Sequence, residues 1–400
     1  MKTSDVQDGE RIFSKEYALV TCISFLINAN FMALMTTTSG FTLEVFGVTN
    51  SQAGLAASIF IIGAIGARLF AGWYTTEVRY KRMLLFGVAG MAAVSSVYFF
   101  AGSFTLFCVV RLANGFMFGI ATNTSFAIIS SIIPKSRAGE GMGYFALSQT
   151  TALALGPLFA LRLLNEWGMA AVFFLAVAVT ALGTVLVLLL ELPAVREYGE
   201  GPGPDEGRLI NRFIDMKILP IAALCFLIFC GHGSILSFVA VYGVQIGLQD
   251  YAAFIFAVIA VVTVAARPYV GKRFDRKGPN TIIYPGIVVF AIAILVLSQS
   301  TQGWMLLAVG ALIGLGSGAV QSGTLSLVVK LASRDRFALA NSTYYTLIDT
   351  AMAVGPVIAG ALITAVGFRS MYLIMAIAVF FGIPLYYAVY ARRHRQETVN

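Results

Sequence analysis

Charged residues are scarce in this sequence. Lys, Arg, Asp and Glu make up 12% of its 400 residues, whereas a soluble globular protein carries about 25%. Two or three soluble domains of this total length would need far more polar surface. The hydrophobic share of 58% and the mean hydropathy of +0.85 agree with this. Most of the chain must therefore face lipid or other apolar helices.

Histidine and cysteine are also rare. The chain has two histidines, one of them in the C-terminal tail, and four cysteines that all lie in apolar segments. Cysteines in such segments usually act as small hydrophobic residues, and they do not indicate disulfides or a zinc site. No phosphate-binding loop is found either, which argues against ATP hydrolysis. The sequence therefore predicts no metal site and no cofactor.

What the chain does contain is a series of long apolar runs. Each is long enough to cross a hydrocarbon core of about 30 Å as a helix, and helix is the expected form because backbone groups in lipid must be satisfied within the segment. The sequence thus predicts an all-α membrane protein with twelve transmembrane helices, near 17–46, 51–75, 82–101, 104–131, 140–165, 168–191, 217–246, 251–271, 280–299, 303–330, 337–365 and 368–391.

Lys and Arg are distributed asymmetrically over the loops between these segments. If both termini are cytoplasmic, the outer loops hold only Arg162 and Arg369. The positive-inside rule predicts this orientation. The net charge of +8 is then a topology signal, and no nucleic-acid partner is expected. The polar stretch at 192–216 predicts a cytoplasmic linker between two six-helix bundles, 1–191 and 217–400.

The two halves share a repeat with a constant offset of 199 residues. Gly168, for example, aligns with Gly367 at this offset. A shared membrane composition does not explain a single offset without gaps, so the pattern indicates a duplicated six-helix unit. Six glycine pairs follow it: Gly72 and Gly271, Gly87 and Gly286, Gly115 and Gly314, Gly119 and Gly318, Gly156 and Gly355, and Gly168 and Gly367.

Twelve segments, a six-plus-six repeat and a polar central linker resemble the major facilitator superfamily of secondary transporters over the whole chain. The resemblance implies two pseudo-symmetric bundles that rock around a central cavity, with substrate bound near the midplane. It further implies a multi-pass, monomeric protein of a bacterial cytoplasmic membrane, with a small-molecule substrate and the lipid bilayer as partners. It does not imply an enzyme.

The stretch RPYVGKRFDRKG, residues 267 to 278, resembles the signature of this family in an inner loop. The matching positions are Gly271, Asp275, Arg276 and Gly278. The resemblance implies an inner gate, in which Asp275 contacts bases and the positive N-terminal end of helix five, near Ser136 to Gly141. The alternative is that these charges only set the topology.

The first half contains a degraded copy of this stretch, RLFAGWYTTEVR, at residues 68 to 79. It keeps Gly72, but Thr76 stands where the acid is expected, and Glu77 follows as a possible substitute. The two inner-gate contacts are therefore expected to be unequal in strength.

A further resemblance concerns RLANGFMFG, residues 111 to 119, in segment four. Arg111 lies inside an apolar segment, where a charge is costly unless it faces a cavity or a partner. The resemblance implies that Arg111 takes part in proton coupling, as in exporters, together with the polar Asn114. Alternatively, Arg111 extends to the outer surface of the membrane.

Two Gly-Pro pairs occupy equivalent positions in the halves: Gly156-Pro157 and Gly355-Pro356. The first resembles a softened exporter motif, and proline is expected to bend each helix. Since the pair is repeated, a packing kink that any family member needs is the alternative.

Two titratable residues are predicted near mid-membrane. Asp349 lies about 18 Å into segment eleven at 1.5 Å per residue, and a buried carboxylate there can exchange protons near neutral pH. His232 lies at a similar depth in segment seven and can also titrate. The alternative for His232 is a hydrogen-bonded packing residue.

Three classes of function follow from these residues. The first, which we favour, is efflux of small amphipathic organic molecules by proton antiport. The second is uptake or export of a polar metabolite such as a sugar, organic acid or metallophore, with Arg111 and Asp349 binding it. The third, a membrane enzyme or receptor, would need a second catalytic acid or histidine on the same helical face, and the sequence offers none.

Overall fold

The computed structural model describes residues 14–74, 80–133, 138–191, 215–331 and 337–391. Within these ranges the chain is helical and forms no strand. Short 3₁₀ and π segments occur at Tyr98–Phe100 and Tyr387–Ala391. The helices are α1 (Lys15–Phe46), α2 (Asn50–Tyr74), α3 (Tyr80–Val97), α4 (Phe104–Ile132), α5 (Ala138–Trp167), α6 (Met169–Leu188), α7 (Leu219–Gln245), α8 (Gln249–Lys277), α9 (Asn280–Ser298), α10 (Gly303–Leu331), α11 (Phe337–Phe380) and α12 (Gly382–Tyr386).

Eleven helices in the described ranges are long and apolar enough to cross a membrane. The eleventh, α11, joins two helical segments at Gly367, whose φ of 80° is left-handed and favours glycine. This residue lies between the expected segments 337–365 and 368–391. The predicted all-α membrane fold is therefore confirmed, with the last two segments running together at one glycine.

The chain forms two compact units. Unit 1 comprises Met1–Phe41 and Ile59–Tyr198, and unit 2 comprises Thr42–Ser58 and Gly199–Asn400. In unit 1, α3 packs against α4 and α6. In unit 2, α7 packs against α11, while α10 packs against α8 and α9. The division after Tyr198 falls within the expected linker, most of which lies outside the described residues.

The repeated glycines occupy equivalent places in the two units. A Cβ added at Gly115 would clash with the carbonyl of Phe60, and one at Gly314 would meet the carbonyl of Ile259, the residue 199 positions after Phe60. Gly168 and Gly367 share left-handed φ values of 77° and 80°. The duplication inferred from the constant offset is thus seen in equivalent glycine contacts of the two units. Two further contacts recur at the same offset: Gly119 to Ala64 recurs as Gly318 to Thr263, and Gly87 to Ala121 recurs as Gly286 to Val320.

We expect Gly355→Leu to destabilise unit 2 by about 1–3 kcal/mol, the usual cost of overpacking. A Cβ at Gly355 on α11 would clash with the backbone carbonyl of Cys230 on α7, and backbone cannot move aside cheaply. Thermal unfolding of the purified protein measures this. Gly271→Leu is the matched control, because a Cβ there meets nothing within 4 Å and leucine favours helix over glycine. Equal melting temperatures for the two variants would contradict the close approach.

Candidate functional site

Arg111 lies in the interior of unit 1. The side chain is 0% exposed, and its guanidinium carbon lies 4.8 Å from the ring centroid of Phe60 on α2. Tyr98, which begins the 3₁₀ segment after α3, lies close enough to interact with its charge. A cation at this distance is attracted to the face of an aromatic ring. The structure therefore places Arg111 inside the bundle, and not at the surface that the alternative interpretation required.

Asn114 lies one turn further along α4 and faces α3. It is 0% exposed, and its Nδ2 donates to Ser95 Oγ at 2.9 Å and to the Met91 carbonyl at 3.4 Å. These bonds join α4 to α3. A role for Asn114 in coupling stays a prediction, beside a packing role that its contacts account for.

Asp349 is the acid at mid-depth in unit 2. It is half-buried on α11, and its Oδ2 is shielded from solvent. Tyr345 precedes it by four residues, so both side chains project from the same face of the helix.

Arg267 on α8 is a residue that the sequence analysis did not assign to the site. The residue is half-buried, and its charge interacts electrostatically with Tyr345. At 1.5 Å per residue, Arg267 lies about 15 Å along the helix axis from Lys277, the last residue of α8. Asp349 lies about 18 Å from Phe337, the first residue of α11. Counted from the helix ends, Arg267 and Asp349 thus lie similarly far along their helices, and Tyr345, one turn before Asp349, interacts with Arg267. The available signal was a charge ten residues inside an apolar helix.

A buried hydrogen-bond network fixes α11 next to this site. Cys225 Sγ on α7 donates to Thr324 Oγ1 on α10 at 3.3 Å, and Thr324 Oγ1 lies 2.8 Å from the Tyr344 hydroxyl on α11. The Tyr344 hydroxyl also donates to the Gln321 carbonyl at 3.2 Å. Three helices are thus tied together at the residue before Tyr345, which fixes the direction of the neighbouring side chains.

His232 lies on α7 and packs among aromatic rings. Its ring centroid is 5.7 Å from that of Phe229 and 6.1 Å from that of Phe290 on α9. The residue is 9% exposed, and its Nδ1 has no hydrogen-bond partner in the described part of the chain. The alternative for His232 was a hydrogen-bonded packing residue, and the structure agrees with the packing but shows no hydrogen bond at Nδ1. A role of His232 in proton transfer stays a prediction.

The Gly-Pro pairs act as points of close approach. α5 continues through Pro157 and α11 through Pro356. A Cβ at Gly156 would lie 2.7 Å from the Ala29 carbonyl of α1, and the Gly355 carbonyl accepts a hydrogen bond from Ser234 Oγ at 3.1 Å. The glycines thus bring α5 against α1 and α11 against α7. Bending at the prolines stays a prediction.

The inner-gate residues are described only in part. Gly278 ends α8 with a left-handed φ of 79°, and its N–H donates to the Phe274 carbonyl. Gly271 and Arg276 are exposed. Gly72 lies near the end of α2, whereas Glu77 falls outside the described residues, as does the side chain of Asp275. The last glycine of the signature therefore has a structural reason, since it terminates the helix.

Comparisons with known proteins agree with this architecture. The family model of the Major Facilitator Superfamily matches residues 18–303 and 285–400. The chain is 26% identical to a protein named Multidrug resistance protein MdtG from Citrobacter koseri, over 89% of this chain and 90% of that protein. The protein of the same name from Enterobacter lignolyticus is 27% identical, over 85% and 84%.

Solved transporter structures share the fold at low identity. A bacterial homologue of the human lysosomal transporter Spinster has a TM-score of 0.77 at 14% identity, covering 94% of this chain and 98% of that one. A peptide transporter of the POT family has a TM-score of 0.78 at 13% identity, covering 98% of both. The chain therefore belongs to the Major Facilitator Superfamily, and it is a multi-pass membrane transporter and not an enzyme.

Proposed function

We propose that this protein exports small amphipathic organic molecules in exchange for protons, by alternating access. The observation that carries the proposal is Asp349, a carboxyl group at mid-depth in unit 2 with one oxygen shielded from solvent. Such a group is rare within membrane helices and usually functional. The relatives named multidrug resistance proteins support the direction and the class of substrate.

In the proposed cycle Asp349 takes up a proton from one side and releases it to the other. Substrate binds while the carboxyl group is ionised, and protonation accompanies its release outside. Arg267 and Tyr345 stabilise the ionised form, because an opposite charge and a hydroxyl donor favour a carboxylate. Arg111 provides a second fixed charge in unit 1. Each step requires only that the two states differ in affinity for proton and substrate.

The second candidate is a carrier for a polar metabolite. Arg267 favours it, because a half-buried guanidinium beside a tyrosine hydroxyl is suited to bind a carboxylate or phosphate of a substrate. In that case Arg267 would contact the substrate directly, and the protein would not transport lipophilic cations such as ethidium.

The protein is further proposed to be a monomer in the cytoplasmic membrane of a bacterium, with both termini cytoplasmic. The scarcity of bases in the expected outer loops supports this orientation. A cysteine in place of Lys2 and one in place of Trp167, which is exposed at the end of α5, should then react with an impermeant thiol reagent from opposite sides.

Accumulation in inside-out vesicles tests the proposed function. Vesicles with an imposed inside-acid gradient should accumulate ethidium or rhodamine 6G through the protein, and a protonophore should abolish this. Accumulation of an organic acid, with none of the apolar cations, would favour the second candidate. Accumulation that is indifferent to the protonophore would contradict proton coupling.

We predict that Asp275→Asn shifts the conformational equilibrium toward the inward-open state. A charge-assisted contact to helix N-terminal amides contributes roughly 0.5–2 kcal/mol, which corresponds to about a two- to thirtyfold shift. Thr76→Asp should shift the equilibrium the opposite way. Distances between spin labels on the inner loops measure both changes, with Asp250→Asn, in the first turn of α8, as a control. An unchanged distance distribution in Asp275→Asn would show that the charges only set topology.

A further inference from the structure

Arg111 and Phe60 form a pair in the interior of unit 1. Both residues are 0% exposed, and the guanidinium carbon of Arg111 lies 4.8 Å from the centroid of the Phe60 ring. A cation within about 6 Å of a ring centroid is attracted by the negative face of the ring, and the attraction is larger when both groups are desolvated. The ring is therefore a favourable neighbour for a buried charge.

The ring of Phe60 is held in place by the packing of three helices. At Gly115 the backbone of α4 approaches that of α2, because a Cβ added there would clash with the Phe60 carbonyl. The ring stacks on Phe31 of α1, with centroids 5.0 Å apart and an angle of 18° between the planes. It also packs against Phe118 of α4 at a centroid distance of 5.2 Å. Since Gly115 lies about one turn after Arg111 on α4, the same close approach brings the guanidinium to the ring.

The second unit keeps this close approach but not the pair. At the offset of 199 residues, Phe60 corresponds to Ile259 and Arg111 corresponds to Gly310. A Cβ added at Gly314, the equivalent glycine of α10, still meets the Ile259 carbonyl. The contact between the two backbones therefore requires neither an aromatic ring nor a charge. Packing alone does not account for the ring of Phe60 in unit 1.

The aromatic residues around the pair also belong to unit 1 alone. Their counterparts at the same offset are Cys230 for Phe31, Leu297 for Tyr98 and Ser317 for Phe118. Tyr98 interacts with the charge of Arg111, as the ring of Phe60 does. Aromatic rings thus accompany the buried arginine in one unit, and aliphatic or small residues accompany glycine in the other. This difference favours a role for the rings in accommodating the charge.

We propose that Phe60 is a positioning residue for Arg111, and that the face of its ring attracts the guanidinium and keeps it inside unit 1 beside α2. A charge within a membrane segment is costly unless a partner accommodates it. The ring does so through its negative face and adds no second titratable group. Arg111 then stays a permanent charge while the proton moves at Asp349. This role in transport rests on the proposed function, whereas the ring contact can be measured without transport.

Stepwise fluorination of the Phe60 ring tests the contact. Phenylalanine analogues with one, two and three ring fluorines keep the shape of the ring and progressively weaken the negative potential of its face. In the purified full chain the melting temperature should fall with each fluorine, by about 4 °C in total. In an Arg111→Met background, which keeps a long side chain without the charge, the same series should show no trend. Any steric effect of fluorine would appear in both backgrounds.

Transport by the same proteins tests the positioning role. Gradient-driven accumulation of ethidium in inside-out vesicles should fall in the same order, roughly tenfold between phenylalanine and the analogue with three fluorines. The matched control is the same series at Phe256, a ring of α8 that is 0% exposed, and neither measurement should show a trend there.

Four results would each overturn the proposal. They are an unchanged melting temperature across the Phe60 series, a trend that survives in Arg111→Met, an equal trend at Phe256, and an accumulation rate that stays constant while the melting temperature falls. Wild-type vesicles that accumulate no ethidium would contradict the proposed function alone, and the melting temperatures would then decide whether Phe60 positions Arg111.

Discussion

Replacing Asp349 by asparagine should reduce gradient-driven transport roughly a hundredfold, the lower range for loss of a positioned proton-transfer group. Asparagine has nearly the same volume but cannot change its charge, so proton movement can no longer be linked to the conformational cycle. Exchange of labelled for unlabelled substrate, which requires no net proton movement, should stay within about threefold of wild type. Both rates are measured in the same vesicles.

Asp250→Asn is the matched control for this experiment. It makes the same chemical change in the first turn of α8, where the side chain is exposed, and should leave both rates unchanged. Unaltered gradient-driven transport in Asp349→Asn would remove this residue from the mechanism. Loss of exchange together with gradient-driven transport would instead assign Asp349 to substrate binding, as the second candidate function requires.

Replacing Arg267 by glutamine should lower gradient-driven transport at least about tenfold. Arg267 is half-buried on α8 and interacts with Tyr345 of α11, which lies one turn before Asp349 on that helix. In the proposed cycle this charge stabilises the ionised carboxylate of Asp349, and a tenfold loss of rate corresponds to about 1.4 kcal/mol. Arg267→Lys keeps the charge but loses the planar donor geometry, so we expect intermediate rates. Initial rates of accumulation measure all three proteins.

The control for Arg267 is Arg162→Gln. Arg162 lies at the end of α5, with a side chain 71% exposed and paired with Glu166, and exposed pairs contribute little. If Arg267→Gln transports as well as Arg162→Gln does, the guanidinium has no part in the cycle. If Arg267→Gln abolishes exchange as well, Arg267 binds substrate directly.

The architecture could be predicted from the sequence because it depends on the length of apolar segments and on the spacing of glycines, which can both be read directly from the sequence. Apolar length fixed the number of spans, and the break before segment twelve appears in the structure as Gly367. The glycine offset was informative because only glycine permits the backbone approach of Gly115 to Phe60 and of Gly314 to Ile259. Because this close packing requires glycine at a given position, a duplicated unit keeps the glycine at the equivalent position.

The site was harder to predict because residue spacing gives depth along a helix but not the neighbour that a side chain faces. Asp349, Asn114 and His232 were all chosen by polarity within an apolar run. In the structure Asn114 faces α3 and His232 faces Phe290 of α9. Arg267 was missed because it was grouped with the charges of the inner loop, although it lies ten residues inside the end of α8.

The same difficulty applies to Asn30. An asparagine in an apolar segment indicates a polar contact, yet its sequence neighbour Asn28 gives the same indication and is satisfied within its own helix. Only the structure shows that the amide of Asn30 is buried without a hydrogen-bond partner among the described residues.

The central claim is that substrate export moves protons the other way through Asp349. Substrate-induced loss of a pH gradient tests it most directly. Inside-out vesicles with an acidic lumen are loaded with a pH-sensitive dye, and a compound that they accumulate is then added. The account predicts that the lumen becomes more alkaline with wild-type protein and stays acidic with Asp349→Asn. A lumen that stays acidic while wild-type protein accumulates the compound would contradict it.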